Sequence, residues 1–202
     1  MLDQTQVIVE VNPKKEIVLN AFQQKAVEQL KQIRRESVGS PDLKPGQFLA
    51  FLQGAPGAGK TETAKQLANK LGLNALFSGT TGTAAAQLKA ETINRLLGLQ
   101  LNLKNFTRKK PPDNVKQKII ELFEDVQLLV IDEISMLTPV TLMKINTFLK
   151  QSLDPEHLFG GISVILIGDF HQLPPVQKGL KNPALYQAAV MLAQGMNLPN
   201  EA

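Results

Sequence analysis

The 202-residue chain has no cysteine, which excludes disulfides and thiolate-held metals. No apolar run approaches the ~18 residues of a membrane span. The first residues, "MLDQTQVIVE", lack the basic-then-apolar layout of a secretory leader. No segment repeats at a fixed period. These absences lead us to expect an intracellular protein with no membrane partner, cytoplasmic in a bacterium or virus and nuclear or mitochondrial in a eukaryote. What remains is an ordinary globular composition, 43% hydrophobic and 20% charged, long enough for one substantial domain. A net charge of +4 tolerates a polyanionic partner without requiring one.

Apolar runs and helical patterns alternate along the chain. "QVIVEV" (6–11) has the period of a short half-exposed strand. Phe22, Ala26, Leu30 and Ile33 then recur at helical spacing and end at Arg34 and Arg35, cations suited to a helix C-terminus. A breaker-rich loop follows at 37–46. Beyond it, strand-like runs at 48–52, 75–79, 126–131 and 162–167 are separated by helix-like stretches at 61–71, 83–97, 115–123 and 139–153. Buried strands separated by helices predict an α/β fold whose mostly parallel sheet carries helices on both faces. Three parts are expected: an N-terminal strand and helix with a loop (1–46), the α/β core (47–180) with a small basic insertion near 100–114, and a tail (181–202).

"GAPGAGKT" follows the first of these strands and opens a helix, which is the context a phosphate-binding loop requires. Gly54, Ala55, Pro56, Gly57, Ala58 and Gly59 form a loop whose backbone N–H groups can turn toward phosphate oxygens. The helix beginning with Lys60, Thr61 and Glu62 aims its positive end at the same place. Lys60 is expected to reach the β- and γ-phosphates of ATP, and Thr61 to offer its hydroxyl to Mg²⁺. A second strand, "LLVIDE", carries two carboxylates at its C-terminal end, where open α/β sheets bind ligands. Asp132 is placed to hold Mg²⁺, and Glu133 to deprotonate an attacking water. Read alone, the first motif is also a glycine turn capping a helix, and the second a charged strand end in solvent.

The run at 162–167 ends in "GDFHQLPPV", where two prolines forbid a helix and leave Gln172 at the strand tip. In that place Gln172 can report the γ-phosphate, although a surface-loop glutamine would look the same; no catalytic role is expected of His171.

Taken together, "GAPGAGKT", "TGTAA", "LVIDEISML" and "GDFHQLPPV" resemble, in order and rough spacing, motifs I, Ia, II and III of superfamily 1 DNA helicases of the PIF-type branch, which is related to RecD. The resemblance covers about residues 17–180. It implies a RecA-like motor domain that couples ATP hydrolysis, with Lys60, Asp132, Glu133 and Gln172 as catalytic residues, to 5′-to-3′ movement along single-stranded DNA. It also implies roles for four further stretches. Gln23 of "LNAFQ" matches the glutamine motif that reads adenine; Asn20 and Gln23 equally form a capping box, and both can hold. The turn containing Thr81, Gly82 and Thr83 would take DNA backbone, or else serve only to cap a helix. Thr92 and Asn94 of "ETINRLL" match a Thr-Ile-His segment, with Asn94 replacing the histidine and removing its stacking surface. In the insertion, Phe106 beside Lys109 and Lys110 can stack on a base and hold phosphates, against the plainer reading of a solvated basic loop.

The last arginine is Arg108, so no downstream arginine can serve as a finger. Such a residue contributes ~10³ to 10⁵ in rate. The resemblance therefore implies a second RecA-like domain or subunit that supplies it, with the tail as the start of that domain. Two alternatives are a stand-alone or partner-activated ATPase that switches DNA binding, and a truncated non-catalytic remnant. Intact Lys60, Thr61, Asp132, Glu133 and Gln172 weigh against the remnant.

Overall fold

The computed structural model describes residues 18–36, 40–99 and 111–169. The expected strand at 6–11, residues 37–39 of the expected loop, most of the insertion, the motif around Gln172 and the tail lie outside them.

Four strands form one sheet: β1 (Leu49–Gln53), β2 (Ala75–Gly79), β3 (Leu128–Asp132) and β4 (Ser163–Gly168). Their order is β1-β4-β3-β2 and every pairing is parallel. Successive side chains on a strand face opposite ways, and the core divides accordingly. Leu128 and Val130 pack with Ile165, Ile167 and Phe77 against α1 (Ala21–Glu36) and α2 (Lys60–Leu71), through Val27, Leu30 and Leu67. Leu129 and Ile131 pack with Val164 and Leu76 on the other face. There they meet Ile119 and Phe123 of α5 (Asp113–Phe123) and Ile145 and Leu149 of α6 (Pro139–Ser152). Both faces are covered, as a fully apolar parallel strand requires. No helix among the described residues is long and apolar enough to cross a membrane.

Two local expectations need correction. The helical pattern at 83–97 is two short helices, α3 (Gly82–Gln87) and α4 (Ile93–Leu96). Lys89 adopts φ 53°, and Ala90 N–H returns to the Ala85 carbonyl at 2.8 Å, closing α3 with a left-handed C-cap that contains no glycine. The hydroxyl of Ser78 then donates to the Glu91 carbonyl at 2.9 Å, fixing the connection to β2. On α1, the buried residues are Val27 and Leu30, whereas Phe22 is 86% exposed. The apolar stripe read from the sequence thus leaves the core at its first member.

Candidate functional site

Among the described residues, Lys60, Thr61, Thr81, Asp132 and Glu133 gather at the C-terminal ends of the strands. The loop after β1 turns through Gly57 and Gly59, both at φ 74°. Gly59 is the N-cap of α2, and no described side chain caps that helix. Its first N–H groups are therefore left for another acceptor. A Cβ on Gly59 would run into the side-chain amide of Gln23. Lys60 folds over the loop, its Nζ donating to the carbonyls of Gly54 at 2.7 Å and Ala55 at 2.9 Å. Phosphate oxygens suit the same three ammonium donors. The Glu62 carboxylate accepts from Gln66 at 3.0 Å, one turn along α2.

Asp132 closes β3 and joins this loop across the intervening β4. Its Oδ2 accepts from Thr61 Oγ1 at 2.5 Å, and its Oδ1 from the backbone N–H of Glu133 at 2.7 Å. Between β1 and β3, β4 ends in Gly168, where a Cβ would lie 2.7 Å from Ile134 Cγ1. Gly168 also accepts from Gly54 N–H at 3.3 Å, which ties the loop to the central strand. A hydroxyl and a carboxylate oxygen so placed are hard oxygen donors, the kind Mg²⁺ takes from a protein alongside phosphate oxygens. Among the described residues no group of three or more His, Cys, Asp or Glu could hold a metal alone. The donor set thus fits a metal shared with a phosphate and does not form a closed cage.

Glu133 leaves the strand with φ 60°, a left-handed backbone that is rare for a side chain of this size. Two hydrogen bonds hold it there. Thr80 Oγ1 donates to the Glu133 carbonyl at 2.6 Å, and Thr81 Oγ1 donates to its carboxylate Oε2 at 2.6 Å. Neither bond was foreseen from the sequence, because nothing in it says that the turn after β2 lies beside the end of β3. Thr81 is also the N-cap of α3, accepting from Ala84 N–H at 3.2 Å.

Of the two roles its motif allows, the structure shows the cap for Gln23. Asn20 N–H donates to Gln23 Oε1 at 3.0 Å and Gln23 N–H donates to Asn20 Oδ1 at 2.9 Å, a reciprocal capping box. The Nε2 of Gln23 also donates to the Ala58 carbonyl at 3.3 Å, which brings the start of α1 against the loop. Gly82 and Thr83 are exposed in the first turn of α3, next to this cluster in the chain. Thr92 caps α4, accepting from Arg95 N–H at 3.4 Å, and forms an isolated bridge with Gly79; Asn94 lies within α4. Gln172, Phe106, Lys109 and Lys110 lie outside the described residues.

The family model for the PIF1-like helicase matches residues 22–194. A relative from Psychrobacter sp. (strain PRwf-1), ATP-dependent DNA helicase Pif1, is 35% identical over 144 residues, 66% of this chain and 21% of the relative. The ATP-dependent RecD2 DNA helicase of Deinococcus radiodurans is 33% identical over 168 residues, 79% of this chain and 21% of that protein. Among solved structures, the Pif1 helicase from Bacteroides in complex with ADP-AlF3 and single-stranded DNA superposes with a TM-score of 0.60 at 28% identity, covering 89% of this chain and 37% of the other. The chain thus spans about a fifth of the length of these curated relatives.

Proposed function

The chain belongs to the PIF1-like helicase family, and from that premise we propose that it is the ATP-binding and hydrolysing motor domain of a DNA helicase, moving 5′ to 3′ on single-stranded DNA. The observation that carries this reading is the Thr61–Asp132 hydrogen bond beside an uncapped helix N-terminus, with Lys60 folded over the same loop. A positive helix end, an ammonium and two hard oxygens at one point suit a triphosphate and its Mg²⁺. Thr61 and Asp132 would hold the Mg²⁺, which would supply charge neutralisation to the phosphates.

The residues divide the work. Loop N–H groups and Lys60 orient the phosphates, while Thr61 and Asp132 hold the metal. Glu133 accepts a proton from the water whose oxygen attacks the γ-phosphorus as ADP departs. Gln172 senses the γ-phosphate, and Gln23 turns its amide from Ala58 to the adenine edge. Thr81, Gly82, Thr83, Thr92 and Asn94 take DNA backbone, which positions the strand without reading bases. Phe106, Lys109 and Lys110 add stacking and charge. A second RecA-like domain or subunit supplies the arginine finger, and work in DNA repair, recombination or replication follows from such a motor.

The test is ATP turnover by the purified protein with and without oligo-dT, together with strand separation on a 5′-tailed duplex. For the 202-residue chain we expect slow turnover that single-stranded DNA accelerates, and no unwinding in the absence of a second motor domain. Absence of ATP binding would overturn the assignment of the loop. Robust unwinding by this chain alone would overturn the need for a second domain.

A further inference from the structure

The two carboxylates at the end of β3 face opposite ways. Asp132 turns toward β4 and the loop after β1, where its Oδ2 meets Thr61. Glu133 turns toward β2, the strand on the other side of β3, where its Oε2 meets Thr81. On the proposed reading the γ-phosphate lies on the loop side, and a base for the attacking water must stand there. The Thr81 hydroxyl therefore holds the Glu133 carboxylate away from its work. The backbone has the same bias: the left-handed turn at Glu133 is pinned through its carbonyl by Thr80.

We propose that Thr81 is a positioning residue that restrains Glu133 until single-stranded DNA claims its hydroxyl. The inference rests on the reading of this site as a DNA-stimulated ATPase. Its physical basis is the proton count of a hydroxyl, which has one hydrogen to donate. In the structure that hydrogen goes to Glu133 Oε2, while the oxygen accepts from Ala84 N–H. A DNA phosphate arriving at the turn of Thr81, Gly82 and Thr83 competes for the same hydrogen with its own negative charge. Once Thr81 donates to the phosphate, Glu133 loses its charge-assisted bond and can swing to the loop side. Strand occupancy thereby sets the position of the base, with no movement of the sheet. Thr81 touches neither the water nor the γ-phosphate; it acts through Glu133.

The experiment measures single-turnover ATP hydrolysis, at saturating ATP, with and without oligo-dT. Thr81→Val keeps the shape and removes the donor. Thr81→Asp keeps an oxygen to cap α3, cannot donate, and controls for the lost cap. In both variants we expect DNA-free turnover to rise by roughly tenfold, the equilibrium weight of one hydrogen bond to a charged group, with KM for ATP unchanged. The DNA stimulation ratio should fall correspondingly. Thr81→Ser, which keeps the donor, should restore the DNA dependence. If both variants retain wild-type DNA-free turnover, or lose turnover equally with and without DNA, the restraint does not exist and Thr81 only caps α3 or orients an active base. Those results leave the ATPase reading standing, because the wild-type protein still responds to DNA. A wild-type protein that neither binds nor hydrolyses ATP overturns both.

Discussion

Two strand-to-helix turns stand at the same end of the sheet, and they handle the helix N-terminus in opposite ways. After β1, the chain turns through left-handed glycines into α2 with no side-chain cap from the described residues. After β2, it turns through Thr80 and Thr81 into α3, and Thr81 supplies the cap itself. A helix leaves its first N–H groups without intrahelical partners, and something must satisfy them. The second turn fills that need from its own sequence and ties the spare hydroxyl proton to Glu133. The first leaves the need open to any acceptor the described residues do not supply, at the positive end of a 12-residue helix dipole and under an ammonium group. The difference separates a turn whose helix N–H groups are open to an added acceptor from one that caps its own helix and holds a neighbouring carboxylate.

The largest expected effect tests the pair of carboxylates that these turns address. Glu133→Gln keeps the shape but cannot accept a proton, so turnover should fall by ~10² to 10⁴ while ATP affinity holds. Asp132→Asn should weaken binding and the Mg²⁺ requirement together, since it removes charge beside Thr61. Identical behaviour of the two in titration calorimetry and rate assays would merge roles that the geometry separates.

Next comes the packing beneath the second turn. A Cβ on Gly79 would lie 2.6 Å from Ala85 N and 2.8 Å from Ala84 Cβ, so Gly79→Ala must push α3 off the end of β2. A cost of about 1–3 kcal/mol is expected in urea unfolding. ATP affinity should change little, because the first turn stands two strands away from β3 on its other side.

The smallest effects belong to two helix caps. Thr138 caps α6 by accepting from Thr141 N–H at 3.1 Å, and Thr138→Ala should cost about 1 kcal/mol with no change in ATP binding. Asn20→Ala should cost a similar amount, about 1 kcal/mol. It should also lower ATP affinity slightly, because the Asn20–Gln23 box holds Gln23 against Ala58. Equal ATP affinities for these two variants would make Gln23 a purely structural residue.

Much of this arrangement was legible from local patterns. The four core strands announce themselves as apolar runs because both faces are covered, and the glycine spacing of 54–59 marks a turn that side chains disfavour. Contacts between elements were a different matter. The strand order β1-β4-β3-β2 sets Thr81 beside Glu133, and no periodicity in either segment encodes that adjacency. The break between α3 and α4 was hidden because Lys89, in place of a glycine, takes the left-handed position. Phe22 fits a helical stripe yet is 86% exposed, while α1 buries Val27 and Leu30 instead. Pattern reports what a segment wants to bury; packing decides what it meets.

The account stands on the claim that the uncapped turn after β1 is an ATP site. Titration calorimetry with ATP and Mg²⁺, comparing the wild-type protein with Lys60→Ala, tests it most directly. Removing the ammonium that now spans Gly54 and Ala55 should lower affinity at least tenfold, on the order of 1.4 kcal/mol. Equal affinity in the two proteins, or no binding by either, would contradict it.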